Sequence, residues 1–274
     1  MSDEMNLEWM DEYEKTYQRF KQQWDFHYQK VIDFIYKSMN KKIENWGFIG
    51  VTNTVPEINS QMLERVEKLT LLDINEKSMV KAKEYISNKY DFHNIELIRF
   101  DNTNGFTDVV FDVFQQYDDK QISEDLLFEK LGNIKRSDIT DIKKQKFDYV
   151  THLGLMDYYM MPIFNKYCEI LKHRNDEFFR ILRKLSDDCV RISLQVLYNV
   201  LNTNGSLVIS TPFTRIPEGG PCNRSLFWLN PLEEYLGKVG FDIKTESQHL
   251  WEEFPIPEGH SHKILNIHCK KIEK

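Results

Sequence analysis

Three short apolar runs, separated by amphipathic stretches, constrain this chain more than any other feature. Residues 46–51 (WGFIGV), 69–74 (LTLLDI) and 95–100 (IELIRF) are too short for buried helices and mostly apolar, as strands covered on both faces are. Helical connections between such strands make a parallel sheet. After the polar turn Thr52-Asn53-Thr54, Pro56 suits the first turn of a helix over 57–67, and Asn75 can cap a second helix through Met79, Ala82 and Ile86. Further strands are predicted at 147–153 (FDYVTHL), 205–211 (GSLVIST), 241–246 and 264–270 (ILNIHCK). Helix is predicted over 157–201, with a break near 173–176, and over 231–238, where Gly240 ends it. The fold class that results is α/β: a Rossmann-like, mostly parallel sheet with helices on both faces.

Two segments stand outside that rhythm. Within an N-terminal extension over 1–44, Trp9, Tyr13, Tyr17, Phe20, Trp24, Tyr28, Val31 and Ile35 recur at steps of three and four. They predict a helix or helix pair, with a break near 25–27, that docks an apolar stripe or forms a lid over a site. The second is 106–146, charge-rich with helical patterning over 122–131, which reads as an insertion or an excursion from the sheet that covers the site or mediates dimerisation. The division expected is thus a helical extension over 1–44 and one α/β domain over 45–274.

Composition narrows the function. A formal net charge of -7 offers no broad basic surface, so nucleic acid is not the expected partner and a small molecule is. No run approaches the roughly 20 apolar residues of a membrane span, and the acidic start MSDEMNLEWMDEYE is unlike a signal peptide. A cytoplasmic location is expected. The cysteines, Cys168, Cys189, Cys222 and Cys269, form no C-x-x-C pair, so free thiols and no zinc site are expected. His260-x-His262 near Glu258 lacks a third ligand at clear spacing and is read as loop.

In an open parallel sheet, ligands bind beyond the carboxyl ends of the strands, where strand order reverses. The loops to inspect follow the first five strands: 50–56, 73–75, 101–102, 151–157 and 211–224. Asp73 ends the second strand and is followed by Ile74. Its carboxylate, acceptor-only with two oxygens, suits both hydroxyls of a ribose, and capping of the next helix is the structural alternative. Asp101 and Asn102 end the third strand, where they pair with an adenine amine or simply form a turn.

In order and spacing, WGFIGV, LTLLDI, IELIRFD, FDYVTHL, LNTNGSLVIST, LGKVGF and HKILNIHCKK together resemble the class I S-adenosylmethionine-dependent methyltransferases, over about 45–274. The resemblance implies that S-adenosyl-L-methionine is the cofactor. It places the cofactor's methionine end at the loop after the first strand (Gly50, Thr52, Asn53, Thr54), its ribose at Asp73 and its adenine at Asp101 and Asn102. Thr151 and His152, at the end of the fourth strand, join the cofactor set. The family has an acidic residue and three glycines in its first loop. Here only Gly50 stands at the turn, and short polar side chains replace the others.

After the fourth strand, His152 is a candidate general base, and Asp157 with Tyr158 and Tyr159 can orient an amine or shelter a sulfonium. Arg215 and Arg224 are candidate clamps for a substrate carboxylate or phosphate. Three functions stay open: methyl transfer to a small molecule; non-methyl use of the cofactor, by aminocarboxypropyl transfer or cyclisation releasing methylthioadenosine; and a non-catalytic protein that keeps the fold.

Overall fold

The computed structural model describes residues 15, 18–135, 146–153, 166–167, 171–217, 223–224, 232–254 and 260–273. Alternation of buried side chains builds its sheet. In β1 (Ile43–Ile49), Trp46 and Phe48 face one hydrophobic layer and Ile49 the other, and in β2 (Val66–Asp73) Leu71 and Leu72 divide the same way. β1 pairs in parallel with β2 on one side and with β4 (Phe147–Leu153) on the other. β3 (Ile95–Arg99) lies outside β2, and β5 (Leu201–Pro217) outside β4, both parallel. β7 (Phe241–Phe254) and β8 (His260–Lys271) complete the order β3-β2-β1-β4-β5-β8-β7 with antiparallel pairings, and the two-residue β6 (Asn223–Arg224) pairs with β5.

One face is covered by α1 (Lys21–Ser38), the short α2 (Ser60–Leu63) and α3 (Glu76–Tyr90), through Val31, Ile35, Met62, Met79, Ala82 and Ile86. The other is covered by α6 (Asn175–Val200), through Val190, Leu194 and Leu197, and by α7 (Leu232–Val239). The connection over 106–135 is helical: α4 (Phe106–Asp118) and α5 (Glu124–Asn133) pack on α6 through Val110, Phe114, Leu127, Phe178 and Leu182. The face Phe106, Val110, Val113, Phe114 has helical spacing, which the neighbouring charges mask. No helix among the described residues is long and apolar enough to cross a membrane.

Several sequence expectations need correction. The helix expected over 57–67 shrinks to four residues, because a turn closes at Val55–Ile58 and Val66 is already extended beside Ile43. α1 runs through 25–27 without a break, where Lys21 and Asp25 pair one turn apart. Its Trp24, Tyr28, Val31 and Ile35 are buried, so this part of the aromatic stripe packs, whereas Trp9, Tyr13 and Tyr17 lie outside the described residues. The last three long strands exceed their predicted lengths. Along β7, Thr245, Glu246, Ser247 and Gln248 are polar and exposed, so no apolar alternation marks them.

Where β4 meets β5, Phe147 pairs with Leu201 but Tyr149 with Ser206, so residues 202–205 loop out of the ladder. A Cβ on Gly205 would lie 2.8 Å from the Asn202 carbonyl oxygen and 3.2 Å from that of Phe147, both backbone. Gly205→Ala is therefore expected to destabilise the fold by about 1–3 kcal/mol, read as a lower urea midpoint at unchanged slope.

Candidate functional site

β1 is the strand from which the chain leaves in one direction to β2 and β3, and beside which β4 and β5 return on the other. That reversal opens a cleft at the carboxyl ends. The register keeps these ends level: Ile49 lies beside both Leu72 and His152, and Asp73 beside Arg99.

Asp73 binds the two loops nearest that cleft. One carboxylate oxygen accepts the Val51 N–H at 3.0 Å, from the turn after β1, and the other accepts the Asn75 N–H at 2.9 Å. The same Asn75 caps α3, its side-chain oxygen accepting the Ser78 N–H at 3.2 Å. Burial raises the Asp73 pKa, and the backbone N–H groups of Asn75, Val51 and Ile74 oppose the rise. A carboxylate offers about four acceptor directions, so these N–H groups do not exhaust it. Asp73 is thus a structural tie between the two loops, and Ile74 beside it is 36% exposed.

The loop after β1 replaces glycines with a braced turn. Gly50 takes φ 92°, the left-handed region that glycine enters freely. Thr52 Oγ1 accepts the Val55 N–H at 3.2 Å, and Asn53 and Thr54 are half-buried alongside. Val55 is fully buried at φ 35°, a costly conformation for a β-branched residue, which the turn and the core around it hold in place. Glu57 follows, buried, with one oxygen that meets no donor among the described residues, and burial raises its pKa to about 7. Sequence reasoning missed this group. Its signal is a lone carboxylate between Pro56 and Ile58, in a segment assigned to a helix.

The other candidates are more fully committed to the fold. Asp101 accepts the Thr103 N–H and hydroxyl on one oxygen, at 2.8 and 2.7 Å, and the Gly105 N–H on the other, at 2.6 Å, making the turn into α4. Asn102 is buried, with its amide nitrogen 2.8 Å from His152 Nε2. His152 is fully buried, and desolvation lowers its pKa to about 4, so the ring is neutral at pH 7. The neutral ring thus has its Nε2 engaged by Asn102, and its burial opposes protonation. Thr151 points to the opposite layer, where its Oγ1 accepts the Trp46 indole N–H at 2.9 Å. Asp157, Tyr158 and Tyr159 lie outside the described residues. Arg215 and Arg224 fall where the β5 and β6 backbones pair. Among the described residues, no group of three or more His, Cys, Asp or Glu is placed to hold a metal ion, and Cys189 and Cys269 are buried free thiols.

No protein-family model and no curated protein matches this sequence. Solved structures do resemble it. A Bacillus halodurans C-125 protein assigned to the methyltransferases is 10% identical over 89% of this chain and 100% of its own, with TM-score 0.52. The [4+2]-cyclase SpnF is 9% identical over 91% of this chain and 82% of its own, with TM-score 0.50. The N-methyltransferase NodS of Bradyrhizobium japonicum WM9, solved with S-adenosyl-L-homocysteine, is 10% identical over 90% of this chain and 86% of its own; its TM-score of 0.48 adds nothing to the assignment. At these identities the likeness establishes the fold alone, a Rossmann-like α/β fold of the kind those proteins have.

Thr151→Val leaves the buried Trp46 N–H without its acceptor and is expected to cost about 1–3 kcal/mol of stability. Affinity for S-adenosylhomocysteine, followed by calorimetry, should stay unchanged. A large loss of affinity would instead place Thr151 in the cleft.

Proposed function

We propose that this chain is an S-adenosylmethionine-dependent transferase that moves a methyl group to a small molecule. The observation that carries the reading is Asp73: a half-buried carboxylate at the strand reversal, tied to the first loop, with acceptor capacity left for a ribose diol. That unused capacity is also the test of fit for the cofactor, because hydroxyl donors would favour the charged form that burial disfavours.

In this reading Asp73 holds the ribose, Ile74 supplies apolar surface beside the adenine, and Asn102 is the polar group next to the base. Asp101 shapes the loop that presents Asn102. Gly50, Thr52, Asn53 and Thr54 enclose the amino-acid end. When bound, the cofactor supplies an electrophilic methyl carbon on a sulfonium. The protein's part is to align the acceptor with that carbon and exclude water, and such positioning needs no covalent help. Asp157, Tyr158 and the loop after β5 would form the acceptor side.

A second reading, non-methyl use of the same cofactor, is favoured by the first loop. The bulky, strained Val55 and the side chains of Thr52, Asn53 and Thr54 stand where the family has glycines, so the amino-acid end would lie differently. Incubation with S-adenosylmethionine and small-molecule acceptors, followed by mass spectrometry, distinguishes the two. S-adenosylhomocysteine is the product expected for methyl transfer, and methylthioadenosine for the second reading. Asp73→Ala is expected to lower nucleotide affinity at least tenfold, about 1.4 kcal/mol. Unchanged affinity would contradict the ribose assignment.

A further inference from the structure

α1 meets the β7–β8 hairpin through an unusual polar contact set among apolar ones. Trp24 and Tyr28 pack on Ile264. Between them on the helix, His27 is buried, with its Nδ1 2.9 Å from Nε2 of His249 on β7. On the far side of that ring, His249 Nδ1 is 3.1 Å from the Asn266 amide nitrogen, and the same nitrogen reaches Ser247 Oγ at 3.3 Å. Asn266 is itself buried.

The register locates this contact relative to the cleft. His249 lies opposite Ile264, and Ile264 opposite Pro212. Pro212 is two residues past Ser210, which pairs with Leu153, the last residue of β4. The contact therefore stands at the level just beyond the carboxyl end of β4.

Two converging imidazoles also suggest a metal pair, and the distances decide against it. Ligands sharing a tetrahedral divalent ion at about 2.0–2.1 Å sit about 3.3 Å apart, farther than the 2.9 Å seen here. The ring centroids are 5.1 Å apart, about the sum of that distance and the two ring radii, so the rings meet end to end. Lone pairs aimed along one line leave no room for an ion between them. This is a hydrogen bond that holds one proton. With the Asn266 amide donating to Nδ1, His249 donates through Nε2 to His27; turning the amide over reverses both bonds, and both rings remain neutral. A second proton would set N–H against N–H.

We propose that the His27–His249 hydrogen bond is a proton-sensitive latch, which holds α1 against the hairpin at neutral pH and releases it under mild acid. The surroundings favour this response. Facing the pair are Lys30 and Tyr28 on α1; farther along β8, His268 has Lys270 and, from β7, Lys244 around it. Burial and then Lys30 hold His249 down to about 4. The ordinary value, which a released His249 regains, is about 6.5. The lowered value makes the latched state the one that binds fewer protons, so its stability is full above about pH 6.5. It is lost by up to tenfold per pH unit as the pH falls toward 4. Only the description of the neighbouring cleft as a cofactor site rests on the proposed function.

Amide hydrogen exchange on the full chain tests the latch. After correction for intrinsic rates, protection over Lys21–Ser38 relative to Val66–Asp73 is expected to fall about tenfold between pH 7.5 and 5.5. His249→Gln and His27→Gln, which keep hydrogen-bonding groups but do not titrate in this range, should abolish the fall, and His268→Gln should retain it. An unchanged wild-type ratio, or an equal fall in both latch variants, would overturn the proposal. Calorimetry with S-adenosylhomocysteine at both pH values reads the cofactor site separately. Binding at neither pH contradicts that reading, while the exchange result alone decides the latch.

Discussion

The Asp73 carboxylate ties together the turns that follow two paired strands, β1 and β2. It takes the Val51 N–H from the turn after β1 and the Asn75 N–H from the turn after β2. Both turns lie at the point where strand order reverses, the place a parallel sheet leaves open for a ligand. Backbone N–H groups buried at strand ends must find acceptors, and this side chain supplies them while keeping acceptor directions toward the cleft. The first loop is positioned by that bond and stiffened by Thr52, and Val55 is held beneath it against its own backbone preference.

Around this tie the fold separates polar groups that build from polar groups free to bind. Trp46–Thr151 and Asn102–His152 are buried hydrogen bonds on opposite layers of the same sheet. Each satisfies groups whose burial would otherwise cost about 1–3 kcal/mol. Tyr149 belongs with them, its hydroxyl meeting Ser38 Oγ and the Ile35 carbonyl at the end of α1. These contacts fix the strands and helices that frame the cleft.

Much of this is legible in the sequence. WGFIGV, LTLLDI and FDYVTHL are buried on both faces, and in that setting composition and strand character coincide. Asp73 stood out because a carboxylate ending a buried strand has few explanations. Other features depend on partners far away in sequence. Nothing near Thr151 reveals that Trp46 claims its hydroxyl, and nothing near His27 reveals His249, 222 positions away. The helix expected over 57–67 was lost to pairing: Val66 reads as part of a helical face until Ile43 draws it into the sheet. The long β7–β8 hairpin was hidden because an edge strand exposed to solvent needs no apolar alternation.

The central claim is that Asp73 serves the chain and a nucleoside together. A crystal structure with S-adenosylhomocysteine tests it most directly. The account predicts both ribose hydroxyls within hydrogen-bonding distance of the Asp73 oxygens, with the Val51 and Asn75 N–H groups still bound to the same carboxylate. A nucleoside bound away from Asp73, or one that binds only after displacing Val51 from it, would contradict the account.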